Sequence, residues 1–222
     1  MDYINEVILM TDKIKKGDFI ELDYTARIAN TDTVFDTTSE SDAKKFGIHS
    51  KNVKYKPVII KVGEGHLVKG LDDFIVDKTP GVFKVDLSPE MAFGKKNAKL
   101  LRLVSIKEFH KNQIQPQPGL EVELDGHRGI VRTVNGGRVI VDFNHPLSSQ
   151  EITYDIAIKG IVTDPKLKVE SALDAFRIPF EKVELIEGKA VVSFKTKIPD
   201  EISKPIIEEI KKVTDVQNIE FK

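Results

Sequence analysis

Residues 18–28 alternate without a break: Ile20, Leu22, Tyr24, Ala26 and Ile28 fall on one face of an extended chain, and Glu21, Asp23, Thr25 and Arg27 on the other. A period of two marks a strand with one buried face, the usual state in an antiparallel sheet. The same pattern returns at 151–162, where Ile152, Tyr154, Ile156 and Ile158 share a face. This late strand resembles those before residue 90 more than the segments just ahead of it. The chain therefore leaves a first domain, builds something else, and comes back. Val58, Ile60 and Val62 alternate, as do Phe83, Val85 and Leu87, while Leu71, Phe74 and Ile75 have the i, i+3, i+4 spacing of a short amphipathic helix. The expected class is α+β, mainly antiparallel β.

The stretch Val62 to Asp73 holds Gly63, Gly65 and Gly70, and Gly65 to Gly70 has the spacing of a phosphate loop. The chemistry then fails. A phosphate loop needs Lys and Ser/Thr right after its last glycine. Leu71 and Asp72 stand there instead. Asp72 and Asp73 suit a helix N-terminus but repel an anion. What remains is a glycine-bracketed turn that presents Leu67, Val68 and Leu71 at the mouth of a short helix, which suits an apolar pocket.

Gln113 to Gly119 contains Pro116 and Pro118 and reads as a linker into a second unit. That unit is β throughout: Leu120, Val122 and Leu124, then an Asp125-Gly126 turn, Ile130 to Val134, a turn at Asn135-Gly136-Gly137, and Val139 to Phe143. A second boundary falls at Thr163-Asp164-Pro165-Lys166. The expected domains are 13–112 with 150–162, an insertion at 113–149, and a C-terminal segment at 163–222. The last reads helix, hairpin, helix, strand, with Ile202, Ile206, Ile210 and Val213 striping its second helix and Glu208–Lys212 placed for an ion pair. A segment so short buries only a thin core, so it is expected to pack on something, a second copy of itself included.

Much chemistry is excluded. The chain has no cysteine, hence no thiol nucleophile, disulfide or thiolate metal site, and this suits a reducing, cytoplasmic setting. None of His49, His66, His110, His127 and His145 has H-x-x-x-H spacing, so no metal or other cofactor is expected. A formal net charge of -1 provides no global field for nucleic acid. Residues 1–10 do not read as a signal peptide, and no charge-free apolar run approaches a membrane span. An enzyme built from this chain would need neither nucleophile nor metal.

Several segments, in order, resemble one family. Asp23-Tyr24 lies on the first strand, and Val34-Phe35-Asp36-Thr37-Thr38 matches an F-D-x-S/T element. Val62 to Asp73 matches V-G-x-G-x-x-I/V-x-G-L-E/D, and Pro89-Glu90-Met91-Ala92-Phe93-Gly94 matches P-P-E-x-A-Y/F-G. Val141 to Leu147 resembles V-D-x-N-H-x-L, and Thr153-Tyr154-Asp155-Ile156 a closing strand. Across about residues 13–162 the chain resembles FK506-binding-protein-type peptidyl-prolyl isomerases of the SlyD-like, archaeal long subtype.

The resemblance implies an FKBP-like half-barrel wrapping a short helix, with an inserted small β domain and a C-terminal α/β unit. It implies catalysis of cis–trans rotation about X–Pro bonds in a cleft lined by Tyr24, Phe35, Asp36, Leu67, Val68, Leu71, Phe93 and Tyr154, with Val58 beside them. Without it, each of these except Asp36 would read as ordinary core. Phe93 stands where many relatives have Tyr, Leu71 where many have Trp, and Ser148-Ser149 where Ala-Gly is usual. The insertion would be a chaperone part whose Leu120, Ile130, Val131, Val139 and Ile140 grip unfolded chains. The implied partners are unfolded or proline-containing polypeptides, and a second copy of the chain paired through the C-terminal segment with its Phe176, Ile178 and Phe180. Two other readings compete: a binding module that holds chains without turnover, motivated by Phe93, and a small RNA-binding β module, motivated by Arg128, Arg132 and Arg138. The acids Glu121, Glu123, Asp125 and Asp142 weigh against the latter.

Overall fold

The two strands of cleanest alternation lie side by side, antiparallel, with Ala26 opposite Tyr154 and Tyr24 opposite Ile156. The structure is a computed structural model and describes residues 8–9, 12–196 and 198–222. In chain order, β1 (Ile8–Leu9), β2 (Phe19–Ile28), β3 (Thr33–Thr37), α1 (Glu40–Lys45), β4 (Val58–Lys61), α2 (Lys69–Ile75) and β5 (Gly81–Leu87) come first. Next are β6 (Leu101–Ser105), α3 (Ile106–Lys111), β7 (Glu121–Leu124), β8 (His127–Asn135) and β9 (Arg138–Asp142). Last are β10 (Ile152–Val162), α4 (Pro165–Ala175), β11 (Lys182–Ile186), β12 (Lys189–Ser193), α5 (Asp200–Thr214) and β13 (Ile219–Phe221). The chain divides into two compact units, residues up to 87 with 152–222, and residues 88–151.

In the first unit β10 is the central strand. It pairs with β2 on one side and with β5 and β1 on the other, while β2 also carries β3 and β4; every pairing is antiparallel. The fold is α+β, a curled FKBP-like half-barrel around one short helix. Ile20, Leu22, Val62 and Ile156 from the sheet and Leu71 and Ile75 from α2 are all sealed from solvent. Each such side chain contributes roughly 1.5–3 kcal/mol by leaving water. Alternation in β2 and the i, i+4 pair in α2 are thus two halves of one core.

The C-terminal segment forms the expected helix, hairpin, helix, strand. Asp164 caps α4 by accepting from the Lys166 N–H, and Pro165 follows at the first helical position. Val169, Leu173, Val183, Val192 and Ile210 make a core of its own. Its sheet pairs β11 with β12 antiparallel and β12 with β13 parallel. The expected Glu208–Lys212 pair is replaced by two pairs one residue shorter in spacing, Glu208–Lys211 and Glu209–Lys212. The segment packs on its own chain: the Ser171 hydroxyl donates to the Ile59 carbonyl on β4 at 2.7 Å, and Lys56 pairs with Asp174 at 3.2 Å. It covers the free edge of β4, a strand otherwise open to pairing with other chains.

The second unit corrects the expected boundary at 113. Strand β6 pairs with β9, giving the sheet order β6-β9-β8-β7, and Phe109 of α3 fills the core with Val122, Val131, Val139 and Val141. Residues 101–112 are therefore part of the insertion. The supposed linker lies inside it: Pro116 is buried, and the Gly119 N–H donates to the Val131 carbonyl. Prolines mark a stop in regular structure, and here that stop falls between α3 and β7 rather than between domains.

Candidate functional site

The first unit places three polar-tipped side chains together by register alone. Ala26 on β2 pairs with Tyr154 on β10 and with Asp36 on β3. Its methyl group leaves room above it. Tyr24, two residues away on the same face, leans over: its hydroxyl donates to Asp36 at 2.7 Å, and its ring lies 6.0 Å from that of Tyr154, tilted by 58°. Diagonal neighbours on a sheet face are within reach of aromatic rings. The Tyr24 backbone is fixed from β3, where the Thr38 hydroxyl accepts from the Tyr24 N–H and the Thr38 N–H donates to the Tyr24 carbonyl.

Both phenols stay protonated. Burial, and then the hydrogen bond to Asp36, raise the pKa of Tyr24 well above the usual phenol range. Burial, and then the charge of Asp36, push Tyr154 up to about 12. The pair is neutral at any physiological pH. The Tyr24 hydroxyl donates to Asp36, so that carboxylate holds a ring in place.

The glycine segment supplies the helical side. Gly63 and Gly65 have φ of +87° and +72°, which other residues rarely adopt, while Gly70 is a buried residue within α2 and takes no part in the turn. The Gly63 N–H donates to the Asp72 carboxylate at 2.9 Å. Asp72, expected only to favour the helix dipole, thus ties the turn to the helix. Leu67 and Val68 are half-buried at the mouth of α2, and Leu71 is a sealed floor with no exposed surface. Phe35 is half-buried on β3. Val58 lines a cavity of about 510 Å³ at the seam between β4 and α4, with Ile59, His66 and Glu170. Phe93 belongs to the second unit, where its ring stacks on His145 at 4.8 Å and 1°.

In the insertion the two faces of the sheet differ. Val131 and Val139 have no exposed surface and lie in its core, which corrects their expected part in gripping clients. Leu120 packs partly on the same core. Ile130 and Ile140 are half-buried on the opposite face. Beside Ile140, on β6, are two residues that periodicity within 113–149 could not reveal: Leu103, 60% exposed, and Leu101, 46%. The Ser148-Ser149 departure keeps its turn: Ser149 sits at φ +64°, its N–H donates to the Gly94 carbonyl, and its hydroxyl accepts from the Lys96 N–H.

Among the described residues no group of three or more His, Cys, Asp or Glu could hold a metal ion, and no helix is long and apolar enough to cross a membrane. The groups shown together are two protonated phenols and one carboxylate, Tyr24, Tyr154 and Asp36, on one face of the sheet.

Comparison with known proteins gives the family. Residues 11–107 match the FKBP-type peptidyl-prolyl cis-trans isomerase family, and residues 102–147 match the IF domain of FKBP26. The chain is 28% identical over 153 residues to a short-type peptidyl-prolyl cis-trans isomerase of Methanocaldococcus jannaschii, covering 68% of this chain and 96% of that one. It is 33% identical over 123 residues to the FKBP-type 16 kDa isomerase of Escherichia coli, covering 51% and 78%. To the FKBP-type isomerase SlyD of Treponema pallidum it is 26% identical over 104 residues, 45% and 58% of the two chains. The chain belongs to the FKBP-type peptidyl-prolyl cis-trans isomerase family.

Proposed function

We propose that the Tyr24–Asp36–Tyr154–Leu71 cleft catalyses X–Pro rotation in unfolded polypeptides, and that the outer face of the inserted sheet holds those polypeptides while it does so. The observation that carries the first half is the pair of protonated tyrosines, one of them tied to Asp36. The uncatalysed barrier of roughly 18–20 kcal/mol is set by amide resonance. In the twisted transition state that resonance is lost, and the carbonyl gives up part of its negative charge. A site that strips water from the carbonyl favours the twisted form over the planar one. No bond to the protein forms, so no nucleophile is needed. Asp36 holds Tyr24 upright, Leu71 floors the cleft, and Phe35, Leu67 and Val68 flank the substrate, while Val58 lies in the cavity between β4 and α4.

The second half rests on Leu101, Leu103, Ile130 and Ile140, apolar side chains on one face of a small sheet, where Asp142, paired with Arg132, stands between Leu101 and Ile130. Exposed strips of this kind mark interaction surfaces. With no cysteine to oxidise, the chain fits a cytoplasmic setting, and the exposed Phe176 and Ile202 suit pairing of two copies through the C-terminal segment. The deciding experiment is refolding of a protein limited by a trans-to-cis prolyl step. Acceleration that is lost in Tyr24→Ala and Asp36→Ala is expected. Suppressed aggregation with no acceleration at any concentration would leave the holding role alone.

A further inference from the structure

The Lys61 side chain is nearly dry, with 11% of its surface exposed. It sits at the end of β4, two residues ahead of the Gly63 turn. Its Nζ donates to the Val213 carbonyl at 2.8 Å, in the last turn of α5. That turn has carbonyls without helical partners and the negative end of the helix dipole. A buried ammonium is expensive unless so partnered. One acid, Glu64, is in reach at 3.8 Å and lies inside the loop that follows β4. The Lys61 N–H also donates to His66 Nδ1 at 3.4 Å, across the turn. One residue thus joins the end of α5, the end of β4 and both sides of the loop that carries Leu67 and Val68.

We infer that Lys61 is a positioning residue, through which the C-terminal segment fixes the geometry of the loop carrying Leu67 and Val68 and so sets the turnover of the prolyl cleft. This rests on the isomerase reading above. The contacts along β4 divide the labour. Ser171 to Ile59 and Lys56 to Asp174 hold the segment on the strand, at a distance in sequence from the loop. Lys61 alone of these three reaches both. Loss of the ammonium removes the bond to the Val213 carbonyl and the contact with Glu64, and so unties the loop from α5, while the Lys61 N–H bond to His66 and the other two anchors stay in place. Leu67 and Val68, carried on that loop, then wander relative to Tyr24, and misplacement by about 1 Å can cost up to a hundredfold in rate.

The test uses the full-length chain with Lys61→Met, Lys61→Arg and Ser171→Ala. Lys61→Met is expected to lower kcat on a prolyl tetrapeptide by about tenfold with KM little changed, and to speed amide exchange at residues 63–70. Lys61→Arg restores most of both. Ser171→Ala lowers the denaturation midpoint but leaves kcat and loop exchange as in the wild type. Equal loss in Lys61→Met and Ser171→Ala, or unchanged exchange at 63–70 in Lys61→Met, would overturn the inference. Exchange is read without substrate, so an inactive wild type would sink the isomerase reading while the coupling was still decided. Lys61→Gln takes the place of Lys61→Met if the latter does not fold.

Discussion

The molecule holds two antiparallel sheets that treat their apolar faces in opposite ways. The isomerase sheet curls around α2, so Ile20, Leu22, Leu71 and Ile75 are sealed, with Tyr24 and Asp36 at its margin. The inserted sheet buries one face on Phe109 and leaves Leu101, Leu103, Ile130 and Ile140 on the other. Enclosure provides direction: a ring, a hydroxyl and a floor at fixed distances, which a reaction with one transition state requires. An open strip provides area without direction, which suits chains of any sequence. The same strand alternation gives an enclosed face or an open one, depending on whether a helix closes the second side.

The largest expected effect comes from undoing the closure. Leu71→Ala removes a fully buried side chain and should cost about 2–5 kcal/mol, the usual range for such cavities. Its denaturation midpoint should fall and prolyl turnover with it, while holding by the insertion persists. A variant that loses turnover at unchanged midpoint would instead make Leu71 a contact of the substrate alone. Next is the insertion's own weak point. A Cβ at Gly129 would stand 2.7 Å from Val141 and 2.8 Å from Phe143. Gly129→Ala should destabilise the insertion by about 1–3 kcal/mol through overpacking. Aggregation assays should show holding lost, with tetrapeptide turnover near normal. Loss of both activities would mean that the two sheets are not the independent devices described above.

A smaller effect on stability, with a large one on holding, is expected at the open face. Leu103→Lys and Ile140→Lys alter side chains that are exposed or half-exposed, so the midpoint should move by no more than about 0.5 kcal/mol. Suppression of aggregation should fall in proportion to the apolar strip removed. If Val131→Ala, a core change, reduced holding more than Leu103→Lys at equal folded fraction, the strip would not be the grip.

How much of this was legible in the sequence follows from what periodicity carries. Strands β2 and β10 and helix α2 were readable because each has one wet and one dry face. Tyr24, Asp36 and Tyr154 could be named from family likeness, but their convergence depends on Ala26 pairing with two strands at once, and cross-strand register is not written in either strand alone. The Asp72 bond to the Gly63 N–H was invisible for a similar reason: a carboxylate at a helix start has a sufficient local explanation. Strand β6 was missed since Leu101-Arg102-Leu103-Val104 is short and neighbours no turn signal, while Pro116 and Pro118 drew the boundary to themselves. Gly70 looked like a turn residue only because two true turn glycines precede it.

The smallest effect at neutral pH, none at all, separates the two units at the extremes. Tyr24 and Tyr154 have folded pKa values above the ordinary phenol value of 10.0. The fold therefore binds those protons more tightly than the unfolded chain does. Their contribution is intact below about pH 10 and lost as pH rises through about 12. In the insertion the sign is reversed. Burial alone would raise Asp142, but the Asn144 side chain and N–H and the Arg132 guanidinium outweigh it and hold the carboxyl below 3.8. Its contribution is present above that value and lost as pH falls. The first unit should thus weaken from the alkaline side and the insertion from the acid side. All four tyrosines lie outside residues 88–151, so tyrosine circular dichroism follows the first unit and amide resonances of β8 and β9 follow the second. Urea midpoints at pH 3, 7 and 11, or thereabouts, should cross between the two probes. Tyr154→Phe should flatten the alkaline arm and Asp142→Asn the acid one. A shared midpoint at every pH would show that the closed sheet and the open one unfold as a single body.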